Sequence, residues 1–129
     1  NRTLLNEALM EFTWAEETHL AKKNIFQIAK AAVRGRIDKL IIADKINIFG
    51  KLNRQTGGLS IHPADIDHED DDLLDDIAQT VLKNGGQVII APAEAIPKSR
   101  PILAILKPKN EDKNKYAETS PTLTDSEVL

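Results

Sequence analysis

The sequence predicts an α/β fold: a sheet with helices on both faces, stacked as a three-layer α/β/α sandwich. Three observations lead there. Apolar residues recur at helical spacing in three separate stretches. Three short, continuous apolar runs bounded by polar residues read as strands buried on both faces. The two kinds of segment then follow one another along 129 residues, a length that supports one core.

Leu5, Ala8, Leu9 and Phe12 repeat at i, i+3, i+4 and i+7, which predicts a helix over 3–12. Trp14 falls in the connection that follows. A second helix is expected from Ala21 to Val33, with Ile25, Ile28, Ala29 and Ala32 inward and Lys22, Lys23 and Lys30 in solvent. Gly35 closes it as a left-handed cap, with Arg34 and Arg36 at the negative end of its dipole. Lys39 to Asp44 holds the first strand, and Ile46, Ile48 and Phe49 either continue it or open a neighbour. Gly50 to Pro63 is a loop or loose hairpin around Gly57-Gly58.

Leu73, Leu74, Ile77, Ala78, Val81 and Leu82 form the third helical stripe, with Asp70 or Asp71 as its cap. Asn84-Gly85-Gly86 ends it, and Gly86→Val is expected to cost stability through a forbidden backbone angle. Val88 to Ala91 is a second buried strand, Pro92 to Pro101 is turn-prone, and Ile102 to Leu106 is a third strand. Residues 107–129 lack periodicity and read as a polar tail or extended arm.

Aromatics make up only 4% of the chain, so the core must come from Leu, Ile, Val and Ala. The absence of cysteine removes disulfides, thiol nucleophiles and cysteine-held zinc, and suits a reducing, cytoplasmic setting. No apolar run approaches the roughly 20 residues of a membrane span, so no membrane partner is expected. A net charge of −3 argues against nucleic-acid binding as the main feature. The opening Asn-Arg-Thr-Leu-Leu reads as a cut in a longer protein rather than as a signal peptide.

At Ala31-Ala32-Val33-Arg34-Gly35-Arg36-Ile37-Asp38-Lys39-Leu40 the sequence resembles the C-terminal, third domain of archaeo-eukaryotic peptide-chain release factors and Pelota-type rescue factors, in its bacterial branch. The second half is similar as well. Asp71-Asp72-Leu73-Leu74-Asp75-Asp76-Ile77-Ala78 looks like the family's acidic helix, Asn84-Gly85-Gly86 its double-glycine turn, and Ala104-Ile105-Leu106 its closing strand. The likeness spans roughly residues 20–106. It implies an L7Ae-like fold with a mixed sheet, and a domain that docks protein partners, notably a translational GTPase. Residues 1–16 then form a linking helix and connection from an upstream domain, 17–106 the release-factor-like domain, and 107–129 the tail.

Gly85-Gly86-Gln87 spells the tripeptide with which release factors promote peptidyl-tRNA hydrolysis. That chemistry needs the tip of an exposed, mobile loop, whereas here a helix ends on one side and a strand begins on the other. In the resembling family, the catalytic tripeptide also belongs to a different domain. The glycines therefore read as a structural turn. Asp65, Asp67, Glu69, Asp70, Asp71 and Asp72, with Asp75 and Asp76, form the densest charge cluster in the chain. Asp65, Asp67 and Glu69 have the spacing of calcium-loop ligands, but Asp70 stands where that loop needs Gly and no closing Glu follows. The cluster serves either as a solvated helix start or as a face for a basic protein surface. His19, His62 and His68 are isolated in sequence, and no nucleophile elbow or phosphate loop is present.

The expected function is non-catalytic. The chain would be a release-factor-like docking domain acting in translation termination or ribosome rescue, with a translational GTPase or ribosomal protein as partner. No catalytic residue, metal or cofactor is assigned. Direct RNA contact is left open, because the acids at the helix start would repel a backbone and Lys51 and Arg54 are too few to reverse this. An L7Ae-type RNA-binding module is the alternative. Another is part of a hydrolase with catalytic groups in absent domains.

Overall fold

A computed structural model describes residues 2–62 and 71–108. Four residues of the acidic cluster (Asp65, Asp67, Glu69 and Asp70), His68 and the tail from residue 109 onward lie outside the described residues.

The elements run α1 (Arg2–Glu17), β1 (Ala21–Lys22), α2 (Ile25–Val33), β2 (Ile37–Ala43), β3 (Phe49–Leu52), β4 (Leu59–His62), β5 (Asp71–Asp72), α3 (Leu73–Lys83), β6 (Gln87–Ala91) and β7 (Ile102–Leu106). Two short 3-10 turns, Ala93–Ala95 and Pro97–Ser99, join β6 to β7. The main sheet has the order β1-β7-β2-β6. It is mixed: β2 runs parallel to β6 and antiparallel to β7, which in turn is antiparallel to β1.

Alternation along β2 divides the core between the two faces. Ile41 and Ala43, with Ile89, Leu103 and Ile105, pack on Leu5, Ala8, Phe12 and Ala15 of α1. Leu40 and Ile42, with Ile102 and Ala104, pack on Ile28 and Ala32 of α2 and on Leu74, Ile77 and Val81 of α3. These are the three layers expected. Each fully buried Leu or Ile contributes about 1.5–3 kcal/mol of transfer free energy. Ala8 and Ala15, both buried, let α1 lie close to its face.

The helix ends have local causes. Asn24 caps α2, its Oδ1 accepting from the N–H groups of Phe26 (2.8 Å) and Gln27 (3.3 Å). Asp72 caps α3, its Oδ1 accepting from Leu74 N–H at 3.1 Å, which corrects the expected Asp70 or Asp71. All three helices close the same way. Arg36 N–H reaches Ala31 O and Gly35 N–H reaches Ala32 O; Gly86 N–H reaches Val81 O and Gly85 N–H reaches Leu82 O; Leu20 N–H reaches Ala15 O and His19 N–H reaches Glu16 O. This paired closure places Gly35 (φ +70°), Gly85 (φ +87°) and His19 (φ +63°) in the left-handed region. Gly35 and Gly85 thus sit where α2 and α3 close.

Several other expectations are corrected. α1 continues through Trp14, which lies on its outer face and is 55% exposed, because Ala15 extends the buried stripe. Ala21–Lys22 is a strand on β7, and α2 begins only at Ile25. β2 starts at Ile37 and ends at Ala43. Phe49 opens a second sheet, β4-β3-β5, built on the hairpin of β3 and β4. The tip of that hairpin rests on α2: a Cβ on Gly57 would stand 2.6 Å from Lys30 Cα. β6 begins at Gln87 and is an edge strand, which leaves Ile90 64% exposed, and Leu82 at the end of α3 is 58% exposed. Gly86 does not have positive φ. It is required because a Cβ there would meet Val81 Cγ1 at 2.6 Å and Ile37 O at 2.7 Å, so the forbidden angle belongs to Gly85.

Candidate partner-binding face

The strands of the main sheet share two ends of opposite character. At one end, Leu106 N–H bonds Leu20 O and Lys107 N–H bonds Arg36 O, so the ends of α1 and α2 meet the start of β2. Asn84, at the end of α3, joins them by donating from Nδ2 to Ala32 O at 3.1 Å. The opposite end is where Asp44 N–H bonds Ala91 O and Leu73 N–H bonds Ile48 O. There α3 begins, and the described part of the acidic cluster lies there.

A cleft of about 250 Å³ opens at this acidic end, lined by Asp44, Asp72 and Asp75 beside Ile42, Ala43 and Ile90, with Lys45 and Asn47 on its rim. Asp71 is placed by backbone pairing of β5 with Gly50. Asp72 is committed to capping α3. Asp75 accepts from Gln79 Nε2 at 2.9 Å, and Asp76 pairs with Arg54 at 3.4 Å. Arg54 also donates to Thr80 Oγ1 at 3.2 Å, which ties the hairpin to α3. Asp44 and Asp75 are exposed. The structure thus brings Asp72 and Asp75 together and adds Asp44, which sequence reasoning missed. Asp44 sits 28 positions before Asp72, and the fold brings it to the start of α3, where Leu73 N–H bonds Ile48 O.

Gln87, third in the Gly-Gly-Gln tripeptide, occupies the first position of β6 in register with Lys39. Its side chain is exposed, but the backbone on both sides is held, by the closure of α3 and by the ladder to β2. His62 Nε2 lies 3.1 Å from Ser60 Oγ, and His19 stands at the other end of the sheet. Among the described residues no group of three or more His, Asp or Glu could hold a metal ion. No described helix is long and apolar enough to cross a membrane.

A second concavity, of about 280 Å³, lies at the end of the sheet away from the acids. Its lining includes His19 and Lys22, Gln27 and Arg34 of the α2 region, and Arg36 at the start of β2, over Leu20, Ala31 and Leu106. Lys39, further along β2, faces α1 and bonds Glu11. That bond, together with attraction to Glu11, Asp38 and Glu7, raises the Lys39 pKa above its ordinary 10.5 against the opposing effect of partial burial.

No protein-family model matches the sequence, and no curated protein matches it. Solved structures do share its fold. One is that of S. cerevisiae Dom34, a translation termination-like factor involved in RNA quality control pathways and interacting with Hbs1. It has a TM-score of 0.57 and 20% identity, and the match covers 81% of this chain and 27% of that one. Another is a model of ribosome-bound archaeal Pelota and ABCE1, with a TM-score of 0.54, 12% identity, and 82% and 27% coverage. The chain therefore spans about a quarter of the length of the chains it matches. At these identities the likeness is one of fold.

Proposed function

We propose that the chain is the C-terminal docking domain of a release-factor-like or Pelota-like protein of the bacterial branch. It supplies protein–protein contacts in translation termination or ribosome rescue in the cytoplasm. The observation that carries this reading is the fold shared with Dom34 over 81% of the chain. It is joined by the sequence resemblance at Ala31–Leu40 and Asp71–Ala78, which falls on the α2–β2 junction and on α3. In this reading residues 1–16 join the domain to an upstream one, 17–106 form the docking unit and 107–129 are a polar tail.

The partner is a translational GTPase or a ribosomal protein that presents basic residues to the acidic end. Asp65, Asp67, Glu69, Asp70 and Asp71 provide most of the attraction, and Asp72 caps α3. Catalysis is left to other domains or partners. Gly85-Gly86-Gln87 acts as a turn, in keeping with the backbone bonds on either side of it.

The test is co-sedimentation of the purified chain with ribosomes, and pull-down of purified translational GTPases, both from the same organism. Retention in at least one assay, weakened tenfold or more by Asp67→Lys with Asp70→Lys, is the expected result. Absence of retention in both, or retention indifferent to those charges, overturns the reading. A peptidyl-tRNA hydrolysis activity lost in Gln87→Ala overturns its non-catalytic part.

A further inference from the structure

The two edges of the main sheet are unequal. β1, at one edge, is two residues long and carries Lys22, and shortness and lysine are both means by which an edge escapes stray pairing. β6, at the other edge, runs for five residues, Gln-Val-Ile-Ile-Ala, with neither charge nor proline. Among the described residues no strand pairs with its outer side. Asp44 N–H bonds Ala91 O, so the alternation of a strand turns the backbone groups of Gln87, Ile89 and Ala91 toward β2. Those of Val88 and Ile90 point out of the open edge. We propose that β6 pairs with β6 of a second copy of the chain, antiparallel about a two-fold axis, so that two sheets become one.

A lone exposed isoleucine calls for no partner. Ile90 is not alone: it lines one cleft with Asp75 of α3, and the exposed Leu82 follows Asp75 by two helical turns on the same side of that helix. With the axis at Ile89, Val88 of one copy faces Ile90 of the other, and the two exchange both backbone bonds. The same contact covers the Ile90 side chain with that of Val88. α3 packs over β2 and β6 through Leu74, Ile77 and Val81. Two strand spacings therefore separate α3 from α3 of the second copy, about 10 Å in all. Helices lying side by side pack at about 8–10 Å, so Leu82 enters a seam between the two.

A two-fold contact has to suit itself, and the charges here do. α3 opens with Asp75 and Asp76 and closes with Lys83. Antiparallel pairing lays the Asp75 end of one α3 beside the Lys83 end of the other. Among the described residues neither Asp75 nor Lys83 has an ion-pair partner within the chain. The assembly also closes, because pairing uses up both copies of β6 and leaves only the short, lysine-bearing β1 at each border. The proposal is independent of the docking reading: a chain that retains no GTPase can still pair with itself, and one that docks a GTPase can stay single.

The test is sedimentation equilibrium of the full chain over a wide range of concentration. The expected result is an average mass that rises toward that of two chains. Ile90→Lys is compared with Ile61→Lys, the same change at an exposed isoleucine of β4 in the second sheet. Ile90→Thr takes over if Ile90→Lys unfolds the chain on thermal melting. Only the Ile90 variant should raise the dimer dissociation constant, by tenfold or more. Asp75→Lys should weaken the dimer as well, and adding Lys83→Asp should restore it. A monomer at every concentration, the outcome if residues 109–129 of the same chain cover β6, would overturn the proposal. So would an Ile90 variant that pairs as well as the natural chain, equal losses in both isoleucine variants, or no restoration by the second charge change.

Discussion

Asn84 Nδ2 donates to Ala32 O and to Thr80 O, both at 3.1 Å, so one amide joins the ends of α2 and α3. The open position where Gly35 lacks a side chain lies 3.8 Å from Asn84 Cβ, which puts the two helix closures side by side. Replacement by Ala removes both bonds and is expected to cost roughly 1 kcal/mol in urea unfolding. Asp in the same place turns an acceptor toward two carbonyls, so Asn84→Asp should be less stable than Asn84→Ala. An Asp variant as stable as the natural chain would show that this link contributes nothing.

Gly85 and Gly86 are required for different reasons, and Ala separates them. At Gly85 the added methyl meets nothing within 4 Å, so only the left-handed backbone opposes it, at about 1–2 kcal/mol. At Gly86 it would press on Val81 Cγ1 and Ile37 O, an overpacking cost of up to about 3 kcal/mol. Denaturant midpoints should fall further for Gly86→Ala than for Gly85→Ala. The reverse order would contradict the packing described.

The pair of Lys39 and Glu11 links β2 to α1 and gives stability an alkaline limit. Lys39 holds its proton more tightly in the folded chain than in the unfolded one. Its contribution is therefore complete below the ordinary value of 10.5 and is lost as pH rises through the higher folded value. Glu11→Gln should cost roughly 0.5 kcal/mol at neutral pH, since the pair is partly exposed. The gap between natural chain and variant should close as unfolding is repeated at pH values rising past 10.5. A gap that persists there would place its cause elsewhere.

Lys45 follows β2 in the turn to Ile46 and holds φ at +63°. Glycine adopts that angle without the Cβ penalty, so Lys45→Gly should stabilise the chain by up to about 1 kcal/mol after allowing for its greater freedom when unfolded. Thermal melting decides it, and a lowered midpoint would mean that the Lys45 side chain makes a contribution larger than the strain.

Segments whose burial is written in local pattern were legible in the sequence. Ile28, Ala29 and Ala32, then Leu74, Ile77 and Val81, repeat at helical spacing, and Ile102 to Leu106 is wholly buried. What remained hidden depends on distant partners. Ala21–Lys22 is a strand only because β7 lies beside it. Ile90 resembles Ile89 in sequence, yet its place on an edge strand leaves it in solvent. Asp72 is the cap because β5 extends to the threshold of α3, a boundary its run of neighbouring aspartates conceals. The acidic cluster was plain in composition. Lys22, Arg34 and Arg36 were equally plain, and the dipole role of the two arginines at the end of α2 hid the concavity that all three share with His19.

The last strand among the described residues, β7, lies between β1 and β2, which are made early. A growing chain emerges amino end first. Until Ile102–Leu106 has emerged, β1 has no neighbour and β2 lacks one of its two. Every earlier stage of synthesis therefore carries a gap in the middle of its sheet, open to any other extended segment. A chain that stops at Arg100 would lose the centre of the domain rather than its border.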